Sequence, residues 1–127
     1  MQYSIYSEDL TVDAFLKLVE KVWPGNYNEE RAGESLKKTH NITAWHKNEL
    51  IGCVRLLSDG YFFSTITEIL VDPIYQKRGV GKKLMELAYQ ESPSNLSFGV
   101  QPGNEAFFEK LGYEKGLRSY QKKKERN

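Results

Sequence analysis

Glu68 is the acidic side chain that interrupts an otherwise apolar approach to Asp72-Pro73, with Ile66, Ile69, Leu70 and Val71 around it. Desolvating a carboxylate is costly unless something pairs with it. A half-buried one holds protons more tightly and attracts cations, which suits a base that must strip a proton from an ammonium group. The same residue has a plainer reading, in which it faces water across a sheet or pairs with a lysine. Just downstream, Gln76-Lys77-Arg78-Gly79-Val80-Gly81 leads into an apolar-striped segment. A strand that ends in a glycine-punctuated loop and opens a helix gathers backbone N–H groups and the positive helix end at one point, which is equipment for an anion. The glycines let a diphosphate approach the main chain. Lys77, Arg78, Lys82 and Lys83 add cationic charge nearby.

The elements that would position these groups can be read from periodicity. Tyr3 and Ile5 mark a short strand over 2–7. Val12, Phe15, Leu16, Val19 and Val22 form a helix stripe after Thr11 as N-cap, stopped by Pro24-Gly25. A more polar helix runs from Asn28 to about Thr39, interrupted by Gly33. Three strands follow, joined by turns at Lys47-Asn48-Glu49 and Ser58-Asp59-Gly60: one begun by Ile42, Ala44 and Trp45, then Leu50–Leu57, then Tyr61–Val71. A helix over 79–91 ends at Ser92-Pro93. Leu96, Phe98 and Val100 alternate as the next strand, and Asn104 caps a short helix carrying Ala106, Phe107, Phe108 and Leu111. Tyr113 and Ser119-Tyr120-Gln121 are candidate final strands.

With a strand before it and a helix after it, Gln76-x-x-Gly79-x-Gly81 fits the (Gln/Arg)-x-x-Gly-x-(Gly/Ala) signature, and the chain resembles the GNAT superfamily of N-acetyltransferases. Two other phosphate-binding patterns fail. A P-loop needs a Lys-(Ser/Thr) end that Gly79-Val80-Gly81-Lys82-Lys83 lacks, and a dinucleotide fingerprint needs glycine where Leu84 stands. The element order extends the resemblance over nearly the whole chain. It implies an α/β (α+β) GNAT fold spanning 1–127 as a single domain. Its single mixed, mostly antiparallel sheet would have six to seven strands, flanked by about four helices.

The resemblance also implies roles. The cosubstrate would be acetyl-CoA, its pyrophosphate held by Gln76, Lys77, Arg78, Gly79, Val80, Gly81 and Lys82. Main-chain groups of Ile69, Leu70 and Val71 would polarise the thioester carbonyl and bind the pantetheine. Asn104 would hydrogen-bond the cofactor's amides. Phe108 stands where many relatives carry the tyrosine that protonates the leaving sulfur, so Tyr113, Tyr120 or water must substitute. Trp23 and Tyr27 fall where the family shapes its acceptor pocket, Trp23 equally suiting a lid over the core. The implied reaction moves acetyl to a small-molecule or peptide amine by direct attack in a ternary complex. A CoA-binding sensor without efficient catalysis is the alternative that Phe108 raises, and a lysine or N-terminal protein acetyltransferase is another. The family also brings the expectation of a homodimer.

Composition excludes other classes. Lys and Arg number 18 against 17 Asp and Glu, so no global field points to nucleic acid, and the basic run Lys122–Arg126 reads as a solvated end. Cys53 is the lone cysteine, ruling out an internal disulfide, and it reads as a core filler. His40 and His46 join no metal-binding pattern, so no metal is expected. With no apolar stretch of membrane-spanning length and no basic-then-apolar leader at MQYSIYSEDL, no membrane partner and a cytoplasmic location are expected.

Overall fold

The computed structural model describes residues 1–125; Arg126, the end of the basic run, lies outside them. β1 (Gln2–Ser4), β2 (His40–His46), β3 (Glu49–Ser58), β4 (Ser64–Val71) and β5 (Leu96–Ser97) form one sheet in chain order. The first three pairings are antiparallel and β4 runs parallel to β5, giving the mixed, mostly antiparallel sheet that the sequence implies.

Helices α1 (Val12–Val22) and α2 (Glu29–Lys37) cover one face through Phe15, Leu18, Val19 and Leu36, packed on Leu50, Cys53 and Leu70. Thr11 Oγ1 accepts the Ala14 N–H at 3.1 Å and Asn28 Oδ1 accepts the Arg31 N–H at 2.9 Å, which starts both helices where the sequence places them. Leu18, absent from the expected stripe, is the deepest α1 residue, so the buried face is rotated from the prediction. On the opposite face, α3 (Val80–Glu91) packs Val80, Leu84, Met85 and Ala88 on Ile42, Ile51, Val54 and Ile66, and α4 (Glu105–Lys110) adds Phe108 to that layer.

Two expectations are corrected. The sheet has five strands among the described residues, not six or seven: Tyr113 and Ser119–Gln121 form none. That stretch is rich in Glu, Lys, Gly and Arg, poor material for a ladder, and it lines a groove beside β5 instead. The long strand begins at Ser64 rather than Tyr61, because Asp59 Oδ1 accepts the N–H groups of Tyr61, Phe62 and Phe63 at 2.9, 2.8 and 3.0 Å and holds them as a turn.

One irregularity matters most for function. Arg55 pairs with Glu68 but its neighbour Leu56 pairs with Ile66, leaving Thr67 as an extra residue in β4. This bulge resets the alternation of side chains. Ile66, Ile69 and Val71 all join the α3 layer, while Leu70 faces α1 and α2, and Glu68 lines a cavity on that same side. The pairing with β5 ends just before it, at Thr65–Ser97. From Ile66 onward the outer edge of β4 has no strand partner.

Candidate active site

The open edge of β4 is built by hydrogen-bond alternation. Asp72 donates its N–H to Ile51 C=O at 2.8 Å, so Leu70, two residues earlier, also turns its backbone toward β3. Ile69 and Val71 therefore present theirs to the edge. Consistently, Gln76 Nε2 donates to Val71 C=O at 3.2 Å from that side. Of the three β4 positions implied by resemblance, Ile69 and Val71 thus face the opening, while the buried Leu70 side chain lines a cavity on the α1–α2 face.

Asp72 fixes the strand end. It is 2% exposed, accepts the Ile74 N–H at 3.0 Å and pairs with Lys21 Nζ of α1 at 3.0 Å. Lys21 also binds Glu49 at 2.7 Å, and these two hydrogen bonds, Glu49 first, push its pKa upward. α1 is thereby tied to the strand that leads into the loop.

The loop itself differs from the protein's other long-helix starts. α1 and α2 begin with a side-chain cap and an acidic first turn. α3 begins at Gly79 with φ +84°, has no side-chain cap and has no acid in its first turn. The left-handed φ is the conformation that favours glycine. The first intrahelical bond runs from Lys83 N–H to Gly79 C=O, so the amides of Val80, Gly81 and Lys82 point outward without helical acceptors. Lys77, Arg78, Lys82 and Lys83 are all exposed around them, Arg78 stacked over Tyr75 at 5.4 Å. Val80 is buried and anchors the turn, and the Phe107 ring lies so close to Gly81 that a Cβ there would come within 3.3 Å of it. Oriented donors, a helix N-terminus and cations with no competing carboxylate fit a diphosphate.

Glu68 neither faces bulk water nor pairs with a lysine. Arg55 of β3 grips it with both limbs, Nε to Oε2 and Nη2 to Oε1, the latter at 2.9 Å. The Thr67 hydroxyl donates to Oε1 at 3.0 Å. Arg55 is held in turn by Ser35 Oγ of α2 at 2.9 Å and by the Phe15 ring 5.4 Å from its guanidinium carbon. Both side chains are nearly buried, 13% and 15% exposed. They line a cavity of about 320 Å³ under α1 and α2, walled by Trp23, Tyr27 and Leu70. Tyr27 donates its hydroxyl to Trp23 C=O at 2.6 Å, bracing the wall. The sequence reading missed Arg55 and Ser35. The available signal was a lone arginine inside Leu50–Leu57, the basic counterpart of Glu68 on what proves to be the next strand.

Phe108, Tyr113 and Phe98 form an aromatic cluster on the α3 face beside the β4–β5 opening, with centroids 5.0 Å apart for Phe98–Phe108 and 5.1 Å for Phe98–Tyr113. Burial, and to a lesser degree Tyr89, push the Tyr113 hydroxyl above its ordinary pKa. It therefore keeps its proton at neutral pH. Tyr120 is fully outside this cluster and 94% exposed. Asn104 occupies the N-cap of α4 but its side chain makes no cap bond; Glu105 Oε1 instead accepts the Gly103 N–H at 2.6 Å. Cys53 is buried, and burial drives its thiol pKa far upward, so it is no nucleophile. No group of three or more His, Cys, Asp or Glu among the described residues is placed to hold a metal, and no helix among them is long and apolar enough to cross a membrane.

An opened parallel strand pair, a bulge beside the opening and an uncapped cationic helix start suit a ligand with a diphosphate and an extended arm. The profile of the Acetyltransferase (GNAT) family matches residues 5–113, and the chain belongs to that family, whose general reaction is acetyl-CoA-dependent N-acetylation. It is 34% identical over 84 residues to "Histone acetyltransferase TAP1" of Glycine max, covering 63% of this chain and 36% of that protein. It is 30% identical over 128 residues to "Probable acetyltransferase TAP2" of Glycine max, covering 87% of this chain and 51% of that one. The chain thus spans about a third to a half of the length of these curated relatives. A solved aminoglycoside 6'-N-acetyltransferase complexed with coenzyme A superposes with a TM-score of 0.71 at 16% identity, covering 88% of this chain and 84% of that one.

Proposed function

We propose that this protein transfers acetyl from acetyl-CoA to a primary amine by direct attack in a ternary complex. The observation that carries this reading is the juxtaposition, across one strand, of two complementary sites. The Gln76–Lys82 loop and the outward backbone of Ile69 and Val71 lie on the cofactor side; Glu68 and its cavity lie on the acceptor side. In the reaction the amine nitrogen forms a bond to the acetyl carbon as the carbon–sulfur bond breaks and the electron pair leaves on sulfur. Outward N–H groups of β4 stabilise charge on the carbonyl oxygen. Both Glu68 oxygens already serve Arg55 and Oε1 also serves Thr67, so Oε2 keeps the freer lone pair and takes the amine proton, directly or through a water. Tyr113, protonated and packed with Phe98 and Phe108, brings the hydroxyl of that aromatic cluster to return a proton to the departing thiolate.

The test is to follow free thiol while the purified protein, with acetyl-CoA, meets a panel of amines. Acceptor-dependent thiol release is expected. Tight CoA binding without turnover on any amine would move the protein to the second reading, a CoA-binding sensor, which Phe108 at the usual tyrosine position favours. The name of the soybean histone acetyltransferase relative raises a protein substrate, and mass spectrometry of incubated proteins separates that case.

A further inference from the structure

The acceptor cavity has an unbalanced charge, and its sign narrows the acceptor; this inference rests on the acetyltransferase reading above. Two arginines and one carboxylate line the cavity. The carboxylate, Glu68, is committed on both oxygens to Arg55, so these two charges largely cancel for anything entering. Arg31 of α2 remains. Its backbone N–H serves the Asn28 cap, but its guanidinium has no hydrogen bond or ion pair among the described residues. Glu29, Glu30 and Glu34 of the same helix do not line the cavity, and Glu34 pairs with Lys37. What an incoming molecule meets is therefore a free, forked cation at the mouth, an apolar wall of Trp23, Tyr27 and Leu70, and a single spare carboxylate lone pair deeper in.

A lysine-rich tail fits this poorly. It would bring further cations against Arg31 and finds no net negative field to draw it in. A molecule with a carboxylate next to its amine fits well. The carboxylate meets the planar fork of Arg31, the ammonium reaches Glu68 Oε2, and an apolar body lies on the aromatic wall. The volume of about 320 Å³ sits at the small end of the about 300–1,000 Å³ common for small-molecule sites. We propose that the acceptor is a zwitterion of amino-acid size, a primary amine bearing a carboxylate on a short apolar or aromatic body, with Arg31 as the residue that selects it.

The experiment compares kcat/KM for phenylalanine, phenylalaninamide, phenethylamine and a lysine-rich peptide, reading free thiol. Phenylalanine is expected to exceed both carboxylate-free analogues by about tenfold or more, the size of one charge-assisted hydrogen bond. The peptide should be poorest. Arg31→Glu should invert the preference toward phenylalaninamide, and Arg31→Lys should restore part of it; thermal midpoints show whether each variant is folded. Arg31 is exposed on its helix, so both substitutions are tolerable to the fold. Amines turned over with no preference for the carboxylate, or a preference that Arg31→Glu leaves unchanged, overturn the inference while acetyl transfer stands. If no acceptor releases thiol, the acetyltransferase reading falls and the inference falls with it.

Discussion

Replacing Arg55 by methionine isolates the ion pair on which the cavity under α1 and α2 is built. The substitution keeps the apolar stem out to about the position of Nε but strands the Glu68 carboxylate at 15% exposure, with only the Thr67 hydroxyl left to it. Breaking a buried pair by removing one partner costs about 3–5 kcal/mol, because the remaining charge is uncompensated. Glu68 lines the cavity and is still 15% exposed, so the lower end, about 3 kcal/mol, applies. For a domain of this size each kcal/mol moves the melting midpoint by roughly 3–4 °C, so Arg55→Met should melt about 10 °C early. The diagnostic variant is the double one. Arg55→Met with Glu68→Gln removes the stranded charge and should recover about 2 kcal/mol relative to Arg55→Met alone, a coupling that a thermodynamic cycle from urea denaturation resolves. Glu68→Gln alone should be milder, since Arg55 keeps Ser35 and the Phe15 ring. If Arg55→Met costs less than about 1 kcal/mol, the pair behaves as an exposed one and the burial argument is wrong. A double variant as unstable as the single would refute it equally. The same proteins carry the catalytic question: Glu68→Gln should lower kcat and alter the pH–rate profile, and an unchanged profile removes Glu68 as the base.

Gly81→Glu should weaken CoA binding by tenfold or more in calorimetry, because it sets a negative charge beside the outward α3 amides and a side chain against the Phe107 ring, 3.3 Å from its Cβ; unaltered affinity would place the pyrophosphate elsewhere. Tyr113→Phe should lower kcat with little change in CoA affinity if its hydroxyl protonates the leaving thiolate, whereas equal kcat assigns that proton to water. Lys21 titrates at a raised pKa because Glu49 and Asp72 bind its charged form. Its contribution to stability is therefore complete below the unfolded lysine value and is lost as pH climbs through the higher folded value. Stability should fall on the alkaline side of about pH 10.5, and Lys21→Met should flatten that part of the curve measured by urea titration.

Where a local pattern decided the structure, the sequence was readable. Thr11 and Asn28 cap the helices that they precede, Lys47 and Asn48 both take the positive φ that a tight hairpin needs, and Gly79 starts α3 in the left-handed conformation. The uncapped start of α3 was legible for the same reason, since it lies in consecutive backbone groups. What could not be read depends on pairing across the chain. The register slip at Thr67 is invisible in Thr67 itself, which only becomes surplus when Arg55 and Leu56 choose their partners. Glu68 was noticeable as an anomaly, but its partner Arg55 lies on another strand, and Ser35, which accepts from Arg55, on a helix. The Tyr61–Phe63 run looked like strand on side-chain preference and lost to one carboxylate, Asp59, capping three amides.

The bulge at Thr67 links the two halves of the site. A regular β4 would carry Ile66, Glu68 and Leu70 on one face, putting Ile66 into the α1–α2 layer. With one extra residue, Ile66 joins Ile69 and Val71 against α3, Glu68 keeps to the cavity with Leu70, and the pairing with β5 ends just before the bulge, at Thr65. The carboxylate thus lies on the cavity side of β4, next to the stretch where Ile69 and Val71 present backbone groups to the edge that β5 leaves open. In the proposed reaction the amine and thioester would meet across this single strand, the geometry that direct transfer needs. It follows that loop variants should act on CoA affinity and Arg31 variants on acceptor choice, whereas a deletion of Thr67 that restores regular pairing should lose both at once.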